Sequence, residues 1–112
     1  MATGIIKQPV TPYRETTVSL SIKSTPALLT REGHICCLLS PYDATSVRSG
    51  YNNIGTVPSG YRPPQTVRVA VQNTNNGSFV DIRADGLINI YCPSTIAGAT
   101  NCGFLATWMT AE

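Results

Sequence analysis

Charge is what this chain has least of. Only 12% of its 112 residues are charged, eight Lys and Arg against six Asp and Glu. Soluble domains usually carry about 25%. The basic residues are scattered and the formal net charge is +2, which excludes a nucleic-acid surface built on a basic stripe. Histidine occurs once, at His34. It forms a His-x-Cys pair with Cys36, but nothing nearby in sequence supplies an orienting group or an oxyanion hole. A core or interface role fits it better than catalysis. The chain lacks a Gly-x-Ser-x-Gly elbow and a phosphate loop. Its six acidic side chains form no obvious acid–base pair of the kind a polysaccharide depolymerase needs. The reading is therefore a protein that is not an enzyme and has no cofactor. Zinc ligands usually stand two to four residues apart. Cys36 and Cys37 are adjacent and point to opposite faces, so no metal site is expected. No apolar run approaches the ~20 residues of a spanning helix. Met1 to Val10 lacks a charged start followed by an apolar core. Assembly in a cytoplasm without membrane insertion is expected. No segment longer than ~10 residues has a helical period.

What the chain has instead is alternation with a period of two, clearest between Gly55 and Cys92. Val57 to Pro64 is too rich in Pro and Gly for a helix. Val67, Val69 and Val71 then share one face, with Arg68 and Gln72 on the other. Val80 and Ile82 repeat this against Asp81 and Arg83, and Ile88 and Ile90 against Asn89 and Tyr91. Such runs bounded by turn residues are half-buried antiparallel strands. A three-residue loop Ala84-Asp85-Gly86 pairs Ile82 with Ile88 and Val80 with Ile90, which keeps apolar residues on one face. Gly86 takes the left-handed position of that loop. A four-residue loop Thr74 to Gly77 pairs Val71 with Val80 and Val69 with Ile82. Asn76-Gly77-Ser78 matches a glycosylation sequon but reads better as this turn.

The flanks follow the same logic. Met1 to Pro12 reads as an extended arm, either an anchor to a larger assembly or a loose terminus. Residues 13–112 form one domain. Glu15 to Lys23 is a strand with Val18, Leu20 and Ile22 inward. Ser24 to Thr30 turns at Pro26. Arg31-Glu32-Gly33 turns into His34 to Ser40, a strand apolar on both sides. Pro41 to Asn53 is a loop, Ile54 to Val57 a short strand, and Pro93 to Asn101 a long loop. Cys102 to Thr110 is the last strand. Phe104, Ala106 and Trp108 lie on one face of it, Leu105 and Met109 on the other. The fold class is all-β, a compact sandwich or jelly-roll of about seven short antiparallel strands.

Two sets of side chains bear on function. Asp81 and Arg83 share the polar face of one strand. With Tyr91 or Trp108 beside them they supply what a saccharide site uses: a carboxylate, a guanidinium and a ring. The alternative is an exposed ion pair. Tyr61 and Arg62 serve a turn, with Pro63 and Pro64 enforcing an extended exit. If the strand of Tyr91 pairs with the last strand, Ile90 meets Phe104 and Cys92 comes opposite Cys102. The two thiols are then either a disulfide or two reduced buried groups.

The order of these pieces resembles a known family. Arg31-Glu32-Gly33-His34 turns into a strand. Ile54-Gly55-Thr56-Val57-Pro58-Ser59-Gly60-Tyr61-Arg62-Pro63 leads to the next. Val80 to Ile88 forms the hairpin, and Ala106-Thr107-Trp108 closes the chain. From Val18 to Thr110 this is similar to the head domains of receptor-binding, tail-fibre and baseplate proteins of phages that infect Gram-positive bacteria. The resemblance implies a homotrimeric head on the virion surface, assembled in the host cytoplasm, that binds host cell-wall saccharides. It implies contacts with other virion proteins, here through the N-terminal arm. Phe104, Trp108 or residues like Leu38 are expected partly buried between subunits. The other reading is a capsid-decoration or head-fibre protein that binds only its own particle.

Overall fold

The alternation resolves into ten antiparallel strands in a computed structural model, which describes residues 13–41, 43–72 and 77–112. They are β1 (Arg14–Val18), β2 (Ala27–Glu32), β3 (Ile35–Leu39), β4 (Asp43–Val47) and β5 (Gly50–Thr56). Then come β6 (Val67–Ala70), β7 (Phe79–Ile82), β8 (Leu87–Cys92), β9 (Ile96–Cys102) and β10 (Leu105–Met109). No described residue is helical. One sheet has the order β1-β2-β3-β10 and another β5-β8-β7-β6, while β4 and β9 form a two-stranded ribbon. The arm expected over residues 1–12 lies outside the described residues.

The inner faces of both four-stranded sheets meet in one core. Leu29, Cys36, Leu38 and Phe104 come from the first sheet, and Val80, Ile82, Ile88 and Ile90 from the second. A fully buried aliphatic or aromatic side chain of this kind contributes about 1.5–3 kcal/mol. The core settles which face of the last strand is inside. Phe104, Ala106 and Trp108 are buried, while Leu105 and Met109 stand 56% and 62% exposed. Phe104, Trp108 and Leu38 are thus core residues and not subunit contacts. His34 sits exposed in the β2–β3 turn, outside the core.

The all-β class expected from the sequence is borne out, with ten strands among the described residues, eight of them in the two four-stranded sheets. Several finer expectations are corrected. Ala27 to Glu32 is a strand and not the continuation of a turn; its inward residue Arg31 breaks the apolar pattern. Arg31 is buried because its guanidinium donates to the Gly33 and Gly60 carbonyls, the compensation a buried charge requires. β3 is buried on one face only, since Ile35 and Leu39 are exposed. The β6–β7 register is two residues from the expected one: Val69 pairs with Val80 and Val67 with Ile82. A shift of two leaves every side chain on its face, so apolar periodicity cannot detect it. Charge can. The expected register sets Arg68 opposite Arg83, whereas the observed one sets Arg68 opposite Asp81.

The hairpin β7–β8 forms as expected. Ile82 faces Ile88 and Val80 faces Ile90. The Arg83 N–H donates to the Leu87 carbonyl at 2.9 Å, and Gly86 has φ of 93°.

The Pro58 to Pro63 turn ties the two sheets together. Its Tyr61 carbonyl accepts the Trp108 indole N–H at 2.6 Å. Its Arg62 carbonyl accepts the Thr110 hydroxyl at 2.7 Å. The Gly60 and Arg62 N–H groups donate to one Glu112 carboxylate oxygen at 2.9 and 3.1 Å. Tyr61 and Arg62 therefore serve structure, as the sequence suggested.

Candidate functional site

The outer face of the second sheet carries two neighbouring rows of side chains that cross its strands. Antiparallel pairing places residues of adjacent strands directly opposite, about 4.8 Å apart. Tyr51 of β5 faces Tyr91 of β8, which faces Phe79 of β7. Their rings form one cluster. Tyr51 and Tyr91 lie 4.7 Å apart between centroids, and Tyr91 stacks on Phe79 at 5.1 Å. Tyr51 is 62% exposed, so this row offers an aromatic surface to solvent.

The second row is polar. Asn53 faces Asn89, Asn89 faces Asp81, and Asp81 faces Arg68. The Asn53 amide donates to the Asn89 side-chain oxygen at 3.1 Å. Arg68 donates Nε to one Asp81 oxygen at 2.7 Å and a terminal nitrogen to the other at 3.0 Å. This is the two-pronged geometry that makes such pairs strong and directional. The same guanidinium lies 3.9 Å from the Phe79 ring centroid, a cation–π contact. Arg68 is therefore held from two sides, although its side chain is more than half exposed. Tyr51, Thr66, Arg68, Asp81, Arg83 and Asn89 line an open concavity of about 690 Å³.

The structure brings three of the four expected site residues to this face. Asp81 and Arg83 line the concavity, and Tyr91 stands in the aromatic row. Their pairing differs from expectation: Asp81 binds Arg68, while Arg83 meets Asp85 at 3.1 Å with both side chains half exposed. Exposed pairs of the latter kind contribute little. Trp108 is corrected outright. It belongs to the other sheet, is 5% exposed, and spends its N–H on the Tyr61 carbonyl.

Tyr51, Phe79, Arg68, Asn53 and Asn89 were not named as site residues from the sequence. Arg68 and Asn89 were readable as polar-face residues, and the like-charge pair Arg68–Arg83 in the expected register was the signal that could have pointed to the Arg68–Asp81 pair. Tyr51 was hidden because β5 begins at Gly50, earlier than the apolar pattern suggests. The Cys92–Cys102 expectation also changes. β8 lies between β5 and β7, and β10 pairs with β3, so the register that would set these residues opposite is not used. Both are free thiols in the interior.

No family model matches this chain, and no curated protein matches it.

Proposed function

We propose that this chain is a non-enzymatic binding module of a phage virion, a head-type domain whose ring-lined face holds a host cell-wall saccharide. The observation that supports this is the row of three rings running beside the fixed Arg68–Asp81 pair. A sugar ring has an apolar C–H face and a rim of hydroxyls. The aromatic row receives the first, with Tyr51 the most accessible ring. Asp81 accepts from hydroxyls and Arg68 donates to them. Because both are already held in place, little side-chain freedom is lost on binding. The virion setting rests on the resemblance of the Pro58–Pro63 entry and the Ile82–Ile88 hairpin to phage heads.

The test is calorimetric titration of the chain with purified wall polysaccharide from Gram-positive bacteria. The unaltered chain is expected to bind. Tyr51→Ala and Arg68→Ala are each expected to weaken binding by about tenfold, the equivalent of ~1.4 kcal/mol. Glu32→Gln, on the other sheet, is expected to leave it unchanged. Absence of binding across wall polymers, with immunogold label spread over the capsid shell, would favour the decoration reading. Label at the tail tip would favour host recognition.

A further inference from the structure

We infer that the outer face of the first sheet is the contact surface for a second copy of this chain, stacked face to face across a two-fold axis that runs parallel to the strands between β2 and β3. The inference does not rest on the saccharide face, which lies on the other side of the core.

The exposed apolar side chains gather on this one face. The ladders set Leu28 opposite Leu39 and Leu39 opposite Leu105, a row of three leucines across β2, β3 and β10. Two positions along each strand, Thr30, Cys37 and Thr107 form a second row, and Glu32, Ile35 and Met109 a third. Alternation points all nine side chains away from the core, where their neighbours Leu29, Cys36, Leu38, Ala106 and Trp108 are buried. Leu28, Ile35, Leu39, Leu105 and Met109 stand between 39% and 62% exposed, so the face is open to solvent. They are five of the seven exposed large apolar side chains among the described residues. Charge is confined to one margin. On the outward positions of the four strands only Glu15 of β1 and Glu32 of β2 carry it, and Glu15 stands opposite Thr30 in the middle row.

Size bears on the occupant. Four strands ~4.8 Å apart and five residues of ~3.3 Å rise give a face of about 320 Å² in projection. An apolar patch of about 300–600 Å² is the largest a typical monomer exposes, and it often marks a contact site. Two such faces, with the relief of their side chains, bury roughly 1,000 Å², the low end of specific association. A pair of modest, micromolar affinity fits that area.

The face can meet itself because its charge lies to one side. Two sheets pack about 10 Å apart with their strands nearly aligned. A two-fold axis along the strands lays β2 over β3 of the second copy and β1 over its β10. Leu28 then faces Leu39 of the second copy, Thr30 faces its Cys37, and Thr17 faces its Leu105. Glu15 comes over Thr107, whose hydroxyl can donate to it, and no like charges meet. An axis across the strands would instead set Glu15 against Glu15. The contact is isologous, so it closes at two copies. Both saccharide faces then point outward.

Sedimentation of the full chain tests the pairing. The expected species at high concentration is twice the 12.0 kDa mass of the chain. Leu39→Lys places an ammonium group in the centre of the contact and is expected to raise the dissociation constant at least about tenfold. Its circular dichroism spectrum should be unchanged, since Leu39 is already half exposed. Thr107→Glu tests the axis and stands in if that variant does not fold. It sets two carboxylates together between copies and should weaken the dimer, and adding Glu15→Lys should restore it. Within one copy β1 and β10 are separated by two strands, so restoration reports contact between copies. Cys37 lies in the middle row, and its labelling by a thiol reagent should slow as protein concentration rises. A monomer up to about 1 mM, far above a micromolar dissociation constant, would overturn the inference. So would a trimer, a dimer that Glu15→Lys does not restore, or slow Cys37 labelling at every concentration, which would mean that residues 1–12 or another part of the same chain cover the face.

Discussion

Glu112 shows how much one side chain organises. A single carboxylate oxygen accepts from two backbone N–H groups of the Pro58–Pro63 turn. Those two bonds, with Arg62 the larger influence and Gly60 the next, hold its carboxyl below the ordinary value of 4.5. A group whose folded value lies below its unfolded one contributes stability above the unfolded value, and that contribution is lost as pH falls through the folded value. Glu112→Gln keeps an acceptor oxygen but removes the titration. Melting temperatures of the two proteins followed from neutral pH down through acid should therefore run in parallel above pH 4.5. Below it, the parent should lose more than the variant. Parallel curves over the whole range would show that this carboxylate does not link the turn to stability.

Among the elements, the β7–β8 hairpin is the most sharply specified. Gly86 combines φ of 93° with a close approach: a Cβ there would stand 2.6 Å from the Val57 carbonyl oxygen and 2.6 Å from the Arg62 Nε. The carbonyl is backbone and cannot swing aside. Gly86→Ala is expected to cost at least about 2 kcal/mol, since the left-handed conformation alone costs ~1–2 kcal/mol. Urea denaturation measures it, and a change below about 0.5 kcal/mol, the range of an ordinary surface substitution, would show that the turn relaxes freely. This hairpin was legible in the sequence because a two-residue loop would have set Ile82 against Asn89. The β6–β7 register was not legible from apolar residues, since Val67, Val69 and Val71 fit equally well after a shift of two. Only Arg68 opposite Asp81 distinguishes the registers. β2 was hidden by a buried arginine. β4 and β9 were hidden because small and polar residues dominate both, and each finds its partner far away in sequence. At the candidate site the polar face was legible. The aromatic row was not, since it requires Tyr51 to be in a strand.

At the scale of the whole molecule, the cysteines report on the core. Cys36, Cys92 and Cys102 are buried and Cys37 is partly exposed. Burial pushes the Cys36 and Cys102 thiols up, and a less ionised thiol is a poorer nucleophile. A thiol reagent should therefore label Cys37 first. The other three should react together, at the rate of global unfolding. Fast labelling of Cys92 or Cys102 in the native protein would instead mean that the region around β9 opens by itself.

β3 finds its second neighbour, β10, late. Thr107 and Cys37 stand side by side although 70 positions separate them. While the chain emerges from a ribosome, Cys36 and Leu38 therefore wait for Trp108 and Ala106 with one side of their strand unpaired. Nascent chains interrupted between these strands would carry exposed apolar surface to chaperones and proteases, so β10 is the strand whose arrival seals the core over β3.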